Sequence, residues 1–330
     1  MTMMKRWSRW VVWGMVWCVA LVWSVWSFGA LYFDFPVYQE VAALIFALVL
    51  LVGVVLQRGW KKVGVMGVGS GAVLVWWLTL KPSNEGDWQP DVERTAWAEI
   101  RGDEVLLHQV RNCDYRTETD YTPRWENRHV RLSKMTGMDL AAAYWGSPWM
   151  AHPVVSFQFS DAPPICFSIE TRKKKGQSYS AIGGLYRQFP LIYVVADERD
   201  VIRLRSNFRE GEELYLYRTT ATPEQARQRF LEYLHTLNQL HQEPRWYHAL
   251  STNCTTSIRS QRAASKRASW DWRLLVNGKG DELLYERKAV VTDGLNFPEL
   301  KKRALINRQA RAANDAVDFS KRIREGRPGF

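Results

Sequence analysis

The hydrophobic pattern divides the chain at residue 81. Before it lie three apolar runs, 10–31, 35–56 and 63–80; after it, apolar residues recur in short alternating or helical patterns among charged ones. The first run has no charge and is long enough to cross a bilayer at about 1.5 Å per helical residue. The second holds only Glu40, near its start, and the third is uncharged but short and rich in glycine. Trp7, Trp10, Trp26, Trp60, Trp76 and Trp77 lie toward the run ends, where indole rings favour the membrane–water interface. The pattern predicts three transmembrane helices. A cleaved signal peptide within residues 1–30 is the competing expectation; the length of the first run and the two runs behind it count against it.

Residues 82–90 (PSNEGDWQP) are polar and turn-rich, so 81–104 reads as a linker between a membrane anchor, 1–80, and one domain, 105–330. In that domain 105–110 reads as a short strand. Residues 151–159 alternate, with Val155, Phe157 and Phe159 on one side and His152, Ser156 and Gln158 on the other. After an Asp-Ala-Pro-Pro turn, 165–170 repeats the alternation and puts Cys166, Ser168 and Glu170 on the polar side. Paired as a hairpin, the two strands set His152 beside Glu170 on one face. Residues 190–196 are nearly all apolar, as a strand covered on both sides would be, and 201–204 and 213–217 read as further strands. Thr222-Pro223-Glu224-Gln225 is a capping box with proline at the first helical position. The helix behind it carries Ala226, Phe230, Leu234, Leu237 and Leu240 as its apolar stripe, with His235 and His241 toward solvent. Residues 257–273 are rich in Arg, Lys and Ser, and 297–327 contain a charged helical stretch. The fold class expected is a membrane-anchored α+β protein: three transmembrane helices, then an antiparallel sheet with helices.

Charge orients the spans. Lys5, Arg6 and Arg9 precede the first, and Arg58, Lys61 and Lys62 separate the second from the third, whereas Asp34 is the one charge between first and second. The positive-inside rule makes the N-terminus cytoplasmic and sends everything after residue 81 to the opposite side of the membrane. Of the net charge of +11, +7 lies beyond residue 80. A basic domain at a bilayer favours anionic headgroups or other acidic envelope polymers as neighbours, and nucleic acid is out of reach there.

Four cysteines are too few for a disulfide framework. Cys18 lies in the first span, which leaves Cys113, Cys166 and Cys254, at least one of them unpaired in a monomer. Cys254 stands in YHALSTNCTTSI, residues 247–258, behind three good N-cap types, Ser251, Thr252 and Asn253. In the first turn of a helix its thiol would meet free backbone N–H groups and the positive dipole end, which favour the thiolate of a nucleophile. Cys113 forms a second Asn-Cys pair, but Asp114, Glu118 and Asp120 around it would raise a thiol pKa and rank it below Cys254. A buried structural thiol is the plainer role for either. No CxxC pair, HExxH, phosphate-binding glycine loop or GxSxG occurs, so neither a metal nor a nucleotide cofactor is expected.

The order His152, Glu170, Asn253-Cys254 resembles that of circularly permuted NlpC-type, papain-like thiol enzymes and of lecithin:retinol acyltransferase relatives. The segments AHPVVSFQFSD, ICFSIETRKKKGQSYS, IYVVADERDVIRLR and WYHALSTNCTTSIRS are similar to the Lnb N-terminal periplasmic domain family, named for a lipoprotein N-acyltransferase. The resemblance runs from about residue 105 to the C-terminus. It implies a permuted papain-like domain with Cys254 as nucleophile, His152 as base and Glu170 as the residue that orients it. It puts Tyr247, Asn253 and Arg172 on the substrate side; Tyr247 could instead be a core aromatic, and Arg172 could pair with a nearby Asp or Glu. Arg111 and Tyr115 fall in a further family element. The activity implied is a cysteine-dependent acyltransferase or hydrolase acting on acyl esters of a membrane lipid or lipoprotein. A thiol amidase or peptidase on cell-wall peptides and a non-catalytic envelope domain are the other readings.

Overall fold

The computed structural model describes residues 2–252, 256–258, 261, 269–274 and 277–330, with side chains from Trp10 onward. Asn253 and Cys254 therefore lie outside the described residues. The chain forms two compact units: Met1–Pro82 with Tyr179–Phe189, and Ser83–Ser178 with Pro190–Phe330.

The first unit is built on helices α1 (Thr2–Asp34), α2 (Gln39–Leu56) and α3 (Lys61–Thr79). Within them Trp10–Asp34, Gln39–Leu56 and Lys61–Thr79 are each long and apolar enough to cross a membrane. Their outer surface exposes Leu44, Leu48, Val55 and Val68, a distribution that suits hydrocarbon rather than water. Asp34, at the end of α1, accepts from Trp77 Nε1 (2.7 Å) and from the backbone N–H of Arg187 (3.0 Å). Arg187 in turn donates to the carbonyls of Trp77 (2.6 Å) and Leu80 (2.9 Å), and its guanidinium lies 3.9 Å from the Trp77 ring centroid. Gly29 lets Tyr186 approach α1, since a Cβ there would stand 2.0 Å from the tyrosine hydroxyl. Segment 179–189 is thus fastened to the ends of α1 and α3 although it links two strands of the other unit.

The second unit is organised by a sheet of eight strands. In chain order they are β1 (Trp97–Arg101), β2 (Glu104–Arg111), β5 (Trp125–Arg131), β6 (Met135–Tyr144), β7 (Ala151–Phe159), β8 (Ile165–Thr171), β9 (Leu191–Asp197) and β10 (Glu213–Arg218); β3 (Asp114–Tyr115) and β4 (Tyr121–Thr122) form a separate hairpin. Their order in the sheet is β1-β2-β9-β8-β7-β6-β10, with β5 paired to β2. All pairings are antiparallel except β2 with β9. The hairpin of β7 and β8 is present, Val154 facing Ser168 and Ser156 facing Cys166.

Both faces of the sheet are covered. On one, Phe157 and Phe167 meet Phe230 and Tyr233 of α5 (Pro223–Gln242) at ring distances of 5.0–5.9 Å. Each such buried aromatic contributes about 1.5–3 kcal/mol. The capping box that starts α5 is intact, Gln225 N–H donating to Thr222 Oγ1 (3.2 Å) and Thr222 N–H to Gln225 Oε1 (3.0 Å). On the other face Val154, Cys166, Val194 and Ala196 pack against Val201 and Ile202 of α4 (Glu198–Arg203) and against Ile306, Ala310, Phe319 and Ile323 from the end of the chain. Arg324 is driven into this face. It binds Asp139 Oδ2 (2.8 Å) and Glu198 Oε1 (2.5 Å), and Ser156 donates to the same Glu198 oxygen.

Several local expectations are corrected. Residues 201–204, expected as a strand, are helical: Asp197 caps α4 by accepting from Arg199 N–H (2.8 Å), and Glu198 and Asp200 occupy the first turn, where the helix dipole favours acids. His241, expected in solvent, pairs through Nδ1 with Thr95 Oγ1 (2.8 Å). The stretch 81–104, read as a linker, contains buried Trp88 and Val92 and strand β1. The longest strand, β6, is weakly announced, because Gly137, Asp139 and three alanines make poor strand formers; its neighbours β7 and β10 hold it.

Candidate active site

Alternation along β7 and β8 places His152, Ser168 and Glu170 on the face covered by α4. Ser168 Oγ donates to Glu170 Oε1 at 2.6 Å and lies 2.7 Å from His152 Nε2. His152 and Glu170 themselves are 3.8 Å apart, so the serine bridges them. A hydroxyl has one proton. Given to Glu170, it leaves Ser168 an acceptor toward His152, which puts the imidazole proton on Nε2 and the lone pair on Nδ1.

Glu170 is fixed from its other side by Arg205, whose Nη2 lies 3.3 Å from Glu170 Oε1 while Nη1 pairs with Glu212 (3.3 Å). Arg209 completes the cluster through Glu212 (3.2 Å). Arg205 is carried by a π-helical turn, Leu204–Phe208, that continues α4; such turns often re-aim a functional side chain. Asn207 of the same turn donates to Ala310 O (3.1 Å) and Asn314 Oδ1 (2.9 Å), which ties the turn to the end of the chain.

These contacts set the charges. Burial would push the Glu170 carboxyl up, but the Arg205 guanidinium, with His152, Arg111 and Arg209, outweighs it and holds the group well below the usual carboxylate range. Burial first, then the charge of Arg205, pushes His152 down to about 3 against the pull of Glu170. His152 is therefore a neutral imidazole beside an ionised carboxylate at physiological pH, with its basic nitrogen free of the bridge.

The other extramembrane thiols are withdrawn from chemistry. Burial, reinforced by Asp200, pushes Cys113 up to about 12, rather than the acidic sequence neighbours that the pattern had pointed to. Cys166 is wholly buried, and burial together with Glu198 raises its thiol far above the ordinary value. Arg111 belongs to the same interior: it is buried and doubly bonded to Asp200 (2.7 and 3.0 Å), which also accepts from Cys113 N–H (2.7 Å). Tyr115 is buried nearby.

Among the remaining candidates, Tyr247 is buried, 8% exposed. Arg172 is a clamp inside the fold. It donates to the carbonyls of Val92 (2.9 Å), Glu93 (2.6 Å) and Asn84 (3.1 Å) and stacks over Trp88 at 4.4 Å, and burial lowers its guanidinium to about 10. The chain approaching Cys254 reaches the sheet where Arg245 O accepts from Leu191 N–H (2.8 Å); Leu191 and Ile192 face Thr171 and Glu170, so this is the end of the sheet that carries His152. The chain leaving it lies on the opposite face: Gln261 Nε2 donates to Tyr193 Oη (3.0 Å), and Ile258 O accepts from Arg229 of α5 (2.5 Å).

On that face a cavity of 430 Å³ opens between β6, β7 and α5. Leu140, Pro153, Val155, Tyr233, Ile258 and Leu283 line it, together with Ala151. His152 sits between Ala151 and Pro153 on the strand and faces the other way. Among the described residues no three His, Cys, Asp or Glu side chains gather as a metal site requires. Ser168 and Arg205 are members of this candidate site that the sequence pattern did not single out. Alternation put Ser168 on the right face, whereas no local signal tied Arg205 to Glu170 across 35 residues.

The family profile of the Lnb N-terminal periplasmic domain matches residues 121–278, a span that contains β5–β10, α5 and the whole His152–Ser168–Glu170 arrangement. No curated protein and no solved structure matches the chain. With the motif order, the strand pairing and this match in agreement, residues 121–278 belong to the Lnb N-terminal periplasmic domain family.

Proposed function

We propose that the protein is a cysteine-dependent acyltransferase or hydrolase, anchored in the bacterial inner membrane by three spans with its N-terminus cytoplasmic, acting in the periplasm on acyl esters of lipid or lipoprotein. The observation that carries the reading is the His152–Ser168–Glu170 bridge, a neutral imidazole oriented by an ionised carboxylate. The order of these strands ahead of Asn253-Cys254 is that of a permuted papain-like site. With Cys113 and Cys166 buried, Cys254 is the nucleophile the reading requires.

In the proposed reaction His152 Nδ1 takes the proton of the Cys254 thiol. The thiolate attacks the ester carbonyl, and backbone N–H groups beside Cys254 would hold the oxyanion. Collapse breaks the C–O bond, and the departing alkoxide takes the proton from the imidazolium, leaving a thioester. An amine or water then attacks the thioester carbonyl, His152 takes the proton of that nucleophile, and the departing thiolate recovers a proton from the imidazolium. Tethering to a bilayer raises the local concentration of such substrates.

The test is mass spectrometry of full-length protein reconstituted in phosphatidylethanolamine–phosphatidylglycerol nanodiscs. An acyl adduct is expected on the peptide containing Cys254, absent from Cys254→Ala and strongly reduced in His152→Ala. An adduct on Cys113 overturns the site assignment. Release of amines from peptidoglycan fragments with no acyl adduct identifies an amidase instead. Topology is checked separately by an alkaline phosphatase fusion at the C-terminus, where an inactive fusion sinks the three-span orientation.

A further inference from the structure

The second unit exposes its large apolar side chains unevenly. Among its described residues eight are exposed, and five of them, Trp145, Trp149, Met150, Trp270 and Trp272, come from two neighbouring loops. One loop joins β6 to β7; the other precedes the helix Gly280–Glu286. The loops are built against each other. Gly278 N–H donates to Trp149 O (3.1 Å), and any Cβ at Gly278 would stand 2.4 Å from Pro148 O. The Trp149 and Trp272 rings are 6.3 Å apart, and Lys279 Nζ lies 5.4 Å from the Trp149 ring. Trp149 and Trp272 remain 52% and 48% exposed in spite of these contacts.

A tryptophan buries some 150–250 Å² when it finds an apolar partner, so a fixed cluster of them in water is costly unless something covers it. Indole rings mixed with cations are the composition of the headgroup–acyl boundary of a bilayer. The sequence just before the second loop adds charge of the matching sign: residues 259–268 contain Arg259, Arg262, Lys266 and Arg267 and no acid. Near an anionic surface each such cation adds to the attraction. The three apolar helices of the same chain supply the bilayer at high effective concentration, which is where this inference rests on the anchoring proposed above.

We propose that the paired loops carrying Trp145, Trp149, Met150, Trp270 and Trp272 form a lipid-contacting surface that enters the headgroup boundary of an anionic bilayer. Its lipid contact is separate from the spans and from the thiol chemistry. The cavity borders these loops, since Ala151, next after the first, and Leu274 and Asn277 of the second line it, so lipid held at the surface is presented beside the cavity.

Photo-crosslinking tests this with full-length Cys254→Ala protein in nanodiscs that contain a phospholipid with a headgroup-proximal diazirine. Adducts are expected on peptides spanning 145–150 and 269–274 as well as on the three spans. Trp149→Ser with Trp272→Ser should lower the loop adducts at least fivefold and leave the span adducts unchanged. Replacing phosphatidylglycerol by phosphatidylcholine should lower them about threefold. Adducts confined to the spans overturn the proposal, as does a protein–protein cross-link through these loops, which identifies a second copy as the occupant. Equal labelling in neutral lipid overturns the anionic assignment. A milder pair, Trp149→Leu with Trp272→Leu, keeps the test decisive if the serine variant does not fold. Because Cys254 is absent throughout, failure of the catalytic reading leaves this result untouched, and loss of span adducts reports failure of the anchoring.

Discussion

The two faces of strand β7 are made by different rules. On the α5 side Phe157 and Phe167 meet the rings of Phe230 and Tyr233, and apolar packing dominates. On the α4 side the same strand presents His152, Ser156 and Gln158, each in a buried chain of hydrogen bonds that runs to Glu170 and Arg205 or to Glu198 and Arg324. An apolar face tolerates repacking, whereas a buried ionic face punishes the loss of any member, because the partner left behind keeps its desolvation cost. The polar face is thus a rigid support, suited to holding one imidazole in one tautomer.

The contrast is tested most severely at its strongest point. Arg324→Leu leaves Asp139 and Glu198 buried without their cation and should cost about 3–5 kcal/mol, against about 1 kcal/mol for Phe230→Leu across the sheet. Thermal unfolding of the full-length protein in detergent reads both, and equal melting temperatures would erase the distinction. Glu170→Gln removes the charge that faces His152 and should slow Cys254 acylation about a hundredfold with little change in lipid binding. Ser168→Ala breaks the bridge while keeping the carboxylate, and about a tenfold loss is expected from the same assay.

The pH dependence sharpens the comparison further. His152 is held down to about 3, so the acid limb of acylation should fall well below pH 6.5. Removing the cation in Arg205→Gln raises the pKa values of both His152 and Glu170, so that limb should move to higher pH; a limb that stays in place would detach Arg205 from the site. Stability has a definite sign as well. The unfolded chain binds a proton at His152 below about pH 6.5 and the fold does not, so stability falls as pH drops through that window. Glu170 acts in the same direction once pH falls below its ordinary carboxylate value. The smallest expected effect is Thr222→Ala at the cap of α5, about 1 kcal/mol in the same melts.

Legibility in the sequence followed the range of the interactions. The β7–β8 hairpin and the cap of α5 could be read because alternation and capping are properties of a few adjacent residues. The helical turn at 198–203 was hidden by an apolar run that suits a strand, although Asp197, Glu198 and Asp200 carried the opposite signal. Strand β6 was not legible, since its Gly, Asp and Ala residues owe their extended form to partners on both sides. Arg172 was expected on the substrate side or paired with a nearby acid, yet its donors close on the backbone of residues 84–93, far away in the chain.

What the sequence by itself determined is therefore local: three membrane-length apolar runs, an alternating hairpin with histidine and glutamate on one side, a capped amphipathic helix and a motif that marks the family. Only the tertiary structure decided that Ser168 bridges the histidine to the carboxylate, that Arg205 arrives from a π-helical turn to keep that carboxylate ionised, and that the end of the chain buries Arg324 beneath them. The reason is physical. Backbone pattern and capping depend on neighbours within a turn or a strand, whereas the charge state of a buried group depends on every charge brought within a few ångströms of it, wherever in the chain that charge began.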